Sequence, residues 1–145
     1  MSNDNAALRW LRFTTDSLNA LDEPADGRHV ASALADDHVF DDRRRGGANF
    51  GRIDDADAIT ALFESNWGLT EGRPHWTISE VVATRGERCA AIVMQIDYGN
   101  GMIVKHIACW RLDTSLRRAN RHVCFDTADL EAAIAELDRL YLEDP

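Results

Sequence analysis

The 145-residue chain has only three cysteines, Cys89, Cys109 and Cys124. They are odd in number and widely spaced, which argues against a disulfide framework or a zinc pattern. Each sits in an apolar stretch, so buried free thiols in a reducing cytoplasm are the expectation. Basic residues are also in short supply. Sixteen bases face 25 acids, for a net charge of −9. Nucleic acid is thereby disfavoured as a partner, because phosphate neutralisation needs a basic face. The one basic cluster, Arg43-Arg44-Arg45, is offset by Asp36, Asp37, Asp41 and Asp42. No apolar run approaches the ~20 residues of a membrane span. The first residues, Met1 to Asn5, lack the basic and apolar regions of a secretory leader. Repeats, low-complexity tracts, phosphate loops and nucleophile elbows are missing too.

What is present suffices for one domain over residues 1–145. At 45% hydrophobic, the chain can bury a core without metal or disulfide staples. The order of its elements is informative. Apolar spacing predicts a first helix over about Asp4 to Leu21, with Leu8, Leu11 and Leu18 on one face. Glu23-Pro24 ends it. A second helix runs from an Asp26 cap to Ala35. Val39 to Arg44 reads as a strand, and Gly46 to Asn49 as a loop. A third helix starts near Asp54-Asp55 and carries Ile59, Leu62, Phe63 and Trp67 on one face.

The pattern then turns to strands. These cover about Trp76 to Thr84, Cys89 to Tyr98, Met102 to Leu112 and Arg118 to Phe125. Asn100-Gly101 marks a hairpin. A last helix, capped by Asp126 or Thr127, carries Leu130, Ile134, Leu137 and Tyr141 in register. Strands joined by tight turns are antiparallel neighbours, and helices pack on a face of the sheet. The class is α+β, and a curved sheet covered by helices encloses a pocket.

Three segments carry a family resemblance. One is Leu34-Ala-Asp-Asp-His-Val-Phe-Asp-Asp42, where a helix end runs into an acidic strand. Another is Lys105-His-Ile-Ala-Cys-Trp-Arg-Leu-Asp113. The third is the strand end and last helix from Val123 to Asp138. With this order, the chain resembles the nuclear transport factor 2-like superfamily, and within it the SnoaL-like and ketosteroid-isomerase-like proteins, from about Ala7 to Tyr141. The resemblance implies a cone-shaped α+β barrel, a strongly curved antiparallel sheet with helices on its concave face. It also implies a hydrophobic interior and a small apolar ligand. Members include isomerases, dehydratases, cyclases, epoxide hydrolases and non-catalytic modules, so the fold leaves function open.

Asp36-Asp37 followed by Asp42 matches the spacing at which the isomerases carry their general base. A carboxylate in a dry pocket has a raised pKa and can take a proton near neutrality. The competing reading is that Asp42 faces solvent or pairs with an arginine of Arg43-Arg44-Arg45. His106 shares a strand face with Val104, Ala108 and Trp110, which the resemblance makes the pocket face. It could serve as acid, base or donor, or be a satisfied core histidine. The isomerase oxyanion donors correspond here to Thr14 and Ala108, neither of which can take that role, so steroid isomerisation is improbable. An epoxide hydrolase Asp–Arg–Asp set has no clear place, Asp97 with Arg111 or Arg121 being the nearest approach.

Phe40, Trp67 and Trp110 are candidate ligand stackers, though aromatics of this kind are more often core. On the fourth strand either Arg121 or His122 must face inward, and Arg121 could bind an anionic group. The apolar surplus in Cys89 to Ile96 points to a second covered face and hence to a homodimer. The expectation is a small-molecule-binding protein acting without a cofactor, with Asp42 and His106 as a possible lyase, isomerase or hydrolase pair. The alternative is a non-catalytic ligand-binding or dimerisation module.

Overall fold

The computed structural model describes residues 4–20, 27–45, 50–68, 74–99 and 101–144, the side chains of 27–29 and 66–68 excepted. The elements are α1 (Ala6–Asn19), α2 (Gly27–Ala33), β1 (Leu34–Asp42), β2 (Gly51–Ile53), α3 (Ala56–Gly68), β3 (His75–Arg85), β4 (Cys89–Asp97), β5 (Ile103–Leu112), β6 (Ala119–Phe125) and α4 (Leu130–Glu143). The α+β class and the order of helices and long strands are as expected. Among the described helices, none is long and apolar enough to cross a membrane.

Several local boundaries differ from the sequence reading: α2 ends at Ala33 rather than Ala35, and the short strand β2 has no counterpart in it. β1 begins at Leu34 rather than Val39, because Leu34 already pairs with Ala119 before a register shift resumes the ladder at Val39. The cap of α4 is Asp129, not Asp126 or Thr127, and its side chain makes no capping bond. The expected Asp26 cap, the Glu23-Pro24 stop, the Gly46 to Asn49 loop and Asn100 lie outside the described residues.

The strands form one open sheet in the order β2-β1-β6-β5-β4-β3. It is mixed rather than wholly antiparallel. β1 and β6 run parallel, with Phe40 opposite His122 and Asp42 opposite Cys124. The other neighbouring pairs are antiparallel. A parallel seam needs a long crossover, and here the chain from α3 to β5 supplies it.

Strand alternation divides the core between two faces. On one face, α1 buries Ala7, Leu8 and Leu11 against Ala90, Ile92, Met94 and Ala108. α2 and α3 continue that layer with Val30 and Ile59 against Phe40 and Cys124. Asn5 fixes the start of α1. Its Oδ1 accepts from Leu8 N–H at 2.8 Å, and its Nδ2 donates to Gly86 O and Cys89 O. Gly86 has φ +53°, and a Cβ there would come within 2.8 Å of the Tyr141 ring, so the β3–β4 turn requires glycine.

On the opposite face, α4 packs Ala133, Leu137 and Leu140 against Cys89, Ala91, Ile107, Cys109, Val123 and Phe125. α4 therefore does not share the face that holds the other three helices. Its position also accounts for the apolar surplus of β4. Both faces of that strand are covered within one chain, so the surplus calls for no second copy. Arg111 Nη1 donates to Leu140 O at 3.0 Å, and Arg88 Nη1 donates to Asp144 O at 3.0 Å. Two cations thus satisfy carbonyls at the negative end of α4. Leu137 is fully buried. Leu137→Ala is expected to cost about 3 kcal/mol through lost burial and a residual cavity. A denaturant titration showing a loss under 1 kcal/mol would contradict this packing of α4.

Candidate functional site

The face beneath α1, α2 and α3 is incompletely filled. Between the sheet and α3 lies a cavity of about 270 Å³, whose walls include Phe40, Phe63, Trp76, Ile96, Tyr98 and Val104. A second lobe of about 100 Å³ runs under α1, along Trp10, Thr14, Leu18, Met94, Ala108 and Trp110. Phe63, Trp76, His106 and His122 line both lobes. The large lobe also reaches Phe50 and Met102, two partly exposed apolar residues that mark its mouth.

His106 lies at the junction of the lobes, 5% exposed. Its Nδ1 is buried and has no hydrogen-bond partner among the described residues. Burial first, and then the Arg44 charge, push its pKa down to about 4, against the opposing pull of Asp42. The ring is therefore neutral at pH 7, with one nitrogen a donor and the other an acceptor.

His122 is the inward residue of β6. Its ring stacks on Trp110 with centroids 3.7 Å apart and planes at 13°. Phe40 lies at 5.0 Å on another side. Burial depresses its pKa strongly, and His38, His106 and Arg44 add to the effect. His122 Nε2 and Cys124 Sγ are 3.2 Å apart. His38 donates from Nδ1 to Ala119 O at 2.7 Å, and its Nε2 is buried without a partner among the described residues.

Asp42 is 2% exposed and lines neither lobe. Its carboxylate accepts from Arg44 Nε at 2.9 Å, Arg44 Nη2 at 2.8 Å, Arg44 N–H at 3.1 Å and Phe50 N–H at 3.2 Å. Burial alone would raise its pKa. The bonds and charge of Arg44, with the Phe50 amide, override burial and hold it below the usual carboxylate range. Such a group is a weak base. Of this pair it is the Arg44 guanidinium that borders the cavity. Asp42 is thus neither solvent-facing nor a free pocket carboxylate, but follows the other half of the competing reading: it pairs with an arginine of Arg43-Arg44-Arg45, as half of a buried ion pair.

The remaining candidates divide. Phe40 lines the large lobe, and Thr14, Ala108 and Trp110 line the small one. The Thr14 hydroxyl is spent on Trp10 O at 2.9 Å. Trp110 Nε1 is buried without a partner among the described residues. Arg121 does not reach the cavity. Strand alternation puts His122 inward and Arg121 outward, where Nη1 donates to Asp37 O at 2.9 Å. It lies beside Asp41, Arg139 and Glu143 on the other face of the sheet. Arg111 likewise points to α4, which removes the remaining route to an Asp–Arg–Asp set. The Trp67 side chain lies outside the described residues. Sequence reasoning missed Cys124 and did not choose His122. The signal was His122-x-Cys124 on one strand, which places both side chains on the same face.

No protein-family profile matches the sequence, and no curated protein matches it. Solved structures do. The RV0760c protein of Mycobacterium tuberculosis is similar at 17% identity over 90% of this chain and 97% of its own, with a TM-score of 0.66. That protein has also been solved in complex with estradiol-17beta-hemisuccinate. The Δ5-3-ketosteroid isomerase of a Mycobacterium species is similar at 15% identity over 88% of this chain and 97% of its own, with a TM-score of 0.61. An NTF2-like protein of unknown function from Cytophaga hutchinsonii is similar at 9% identity over 86% and 92%, with a TM-score of 0.57. The chain has the nuclear transport factor 2-like fold.

Proposed function

We propose that the two-lobed cavity binds a small, largely apolar molecule containing a flat ring system. The observation that carries this reading is the lining. Phe40, Phe63, Trp76 and Tyr98 present aromatic surface to a space of about 270 Å³. An apolar void of about 150 Å³ already accepts a benzene-sized molecule, and ligand pockets begin near 300 Å³. A one- or two-ring compound fits the main lobe, and a longer one would extend past His106 into the second. Steroid binding by a protein of the same fold supports the ligand class.

The binding reading is favoured over the proposed Asp42–His106 catalytic pair. The Asp42 oxygens are occupied by Arg44 and Phe50, and among the described residues no carboxylate lines the ligand space. His106 then serves as a neutral polar contact in an apolar wall. The site is lined from a single chain and needs no partner copy.

Ligand that binds only the folded state raises its melting temperature. A thermal-shift screen of flat apolar alcohols, ketones and carboxylates is expected to give hits. Val104, half-buried on the wall of the large lobe, is the control position. Val104→Trp should fill the lobe and abolish the shift while the protein stays folded. Hits that survive Val104→Trp unchanged would place binding elsewhere and defeat the reading.

A further inference from the structure

We propose that His106, His122 and Cys124 form a three-ligand site for a zinc-class metal ion on the cavity wall, with the fourth coordination position open to the cavity. One ligand atom from each residue can be chosen so that all three lie within 4.8 Å of one another, and all three residues are buried. His122 Nε2 and Cys124 Sγ are already 3.2 Å apart. Zinc holds nitrogen at about 2.0 Å and sulfur at about 2.3 Å in a tetrahedron, so its ligand atoms sit about 3.3–3.7 Å apart. The widest gap here must close by about 1 Å, which ring rotation of His106 can supply.

A second observation points the same way. The His106 Nδ1 is buried without a partner among the described residues, and the residue lines both lobes. Buried polar atoms are ordinarily satisfied, so an unused nitrogen on a member of this cluster marks a missing partner. The carriers are rigid. His106 stands on β5, and His122 and Cys124 on β6, two hydrogen-bonded strands that pair Ala108 with Cys124.

The donor chemistry suits a borderline ion. Two imidazoles and one sulfur select zinc, cobalt or copper over magnesium and calcium. The neutral imidazoles are ready to bind. Cys124 must lose its thiol proton to buffer as the metal–sulfur bond forms. Arg44, the cation that borders the site among the described residues, has its charge balanced by Asp42 at 2.8 Å. The metal site does not rest on the apolar-ligand reading, since the aromatic walls and the Val104→Trp test are indifferent to it.

Chelator-treated full-length protein titrated with Zn²⁺ by calorimetry, and with Co²⁺ by absorption, decides the matter. The expected result is one equivalent bound and a near-ultraviolet sulfur-to-cobalt charge-transfer band. Cys124→Ser should lose that band and bind Zn²⁺ at least ~10-fold more weakly, with its circular dichroism unchanged. Cys109→Ala, altered on the α4 face, should keep both. If Cys124→Ser does not fold, His106→Gln replaces it and should weaken Zn²⁺ at least ~10-fold while keeping the band. Absence of stoichiometric uptake, a band that survives Cys124→Ser, or unchanged affinity in His106→Gln would overturn the site.

Discussion

Acidification of metal-free protein from pH 7 to pH 4 is expected to remove most of its folding stability, with an unfolding midpoint between pH 4 and 6. The cause is three histidines buried neutral, His38 and the two that line the cavity, His106 and His122. His38 is held at a pKa of about 4, first by burial, against its Ala119 hydrogen bond, with Arg121 lowering it further and Asp37 opposing. His106 is also at about 4, and His122 lies well below the ordinary 6.5. These are folded-state values depressed below the unfolded one. Above pH 6.5 both states are neutral and the rings cost nothing. Between 6.5 and 4 the unfolded chain takes up protons that the folded protein refuses, so stability falls with pH.

A pKa lowered from 6.5 to about 4 corresponds to roughly 3 kcal/mol per ring by the bottom of that window. Two such rings remove roughly 6 kcal/mol, and His122 adds to it. A domain has only about 5–15 kcal/mol in all. The carboxylates act later. Asp42 and Glu136 have depressed values, so the stability they contribute is lost as pH falls from the ordinary carboxylate values toward the depressed ones, at the acid end of this window and below it. Urea titrations at half-unit steps from pH 7 to 4 measure the slope. His38→Gln, which removes one of the titrating rings, should flatten it and lower the acid midpoint. A stability that stays level across this window would mean the rings are hydrated or already paired.

The same histidines show where a sequence stops being legible. Alternation on β5 put Val104, His106, Ala108 and Trp110 on one face, and the structure places all four on the cavity. Period two supplied the shared face, and the family resemblance supplied its assignment to the pocket. On β6 alternation left Arg121 and His122 as equals. The choice is made by the parallel seam with β1, where Phe40, a member of the α3-side core, pairs opposite His122 and meets its ring. No local pattern announces a parallel pairing across about eighty residues. The apolar surplus in β4 was legible, but not its cover, because α4 and a second copy would demand the same residues. Asp42 illustrates the harder case. Its burial followed from its place in the strand, but its neutralisation depends on Arg44 folding back over it two residues later, after the strand has ended.

That ion pair sets the other large effect, a loss of about 4 kcal/mol in Asp42→Ala. The Asp42 side chain is fully enclosed and the Arg44 side chain is 12% exposed. Removing the carboxylate takes two charge-assisted bonds from a mostly buried guanidinium whose residue lines the cavity with Phe40, Phe63 and neutral His106, and so raises the cost of its desolvation. It also orphans the backbone amides of Arg44 and Phe50. Asp42→Asn keeps the shape and some acceptor capacity, so a smaller loss of about 2 kcal/mol is expected. Replacing both partners, Asp42→Ala with Arg44→Met, should recover most of the loss, because the buried cation is removed together with its counter-ion. Denaturant midpoints of the three variants measure the coupling. The pattern discriminates between roles. A working base free in the pocket would give near-wild-type stability in Asp42→Ala and no rescue from Arg44→Met. A large single loss with rescue makes Asp42 the counter-ion that lets an arginine stand at the wall of an apolar cavity.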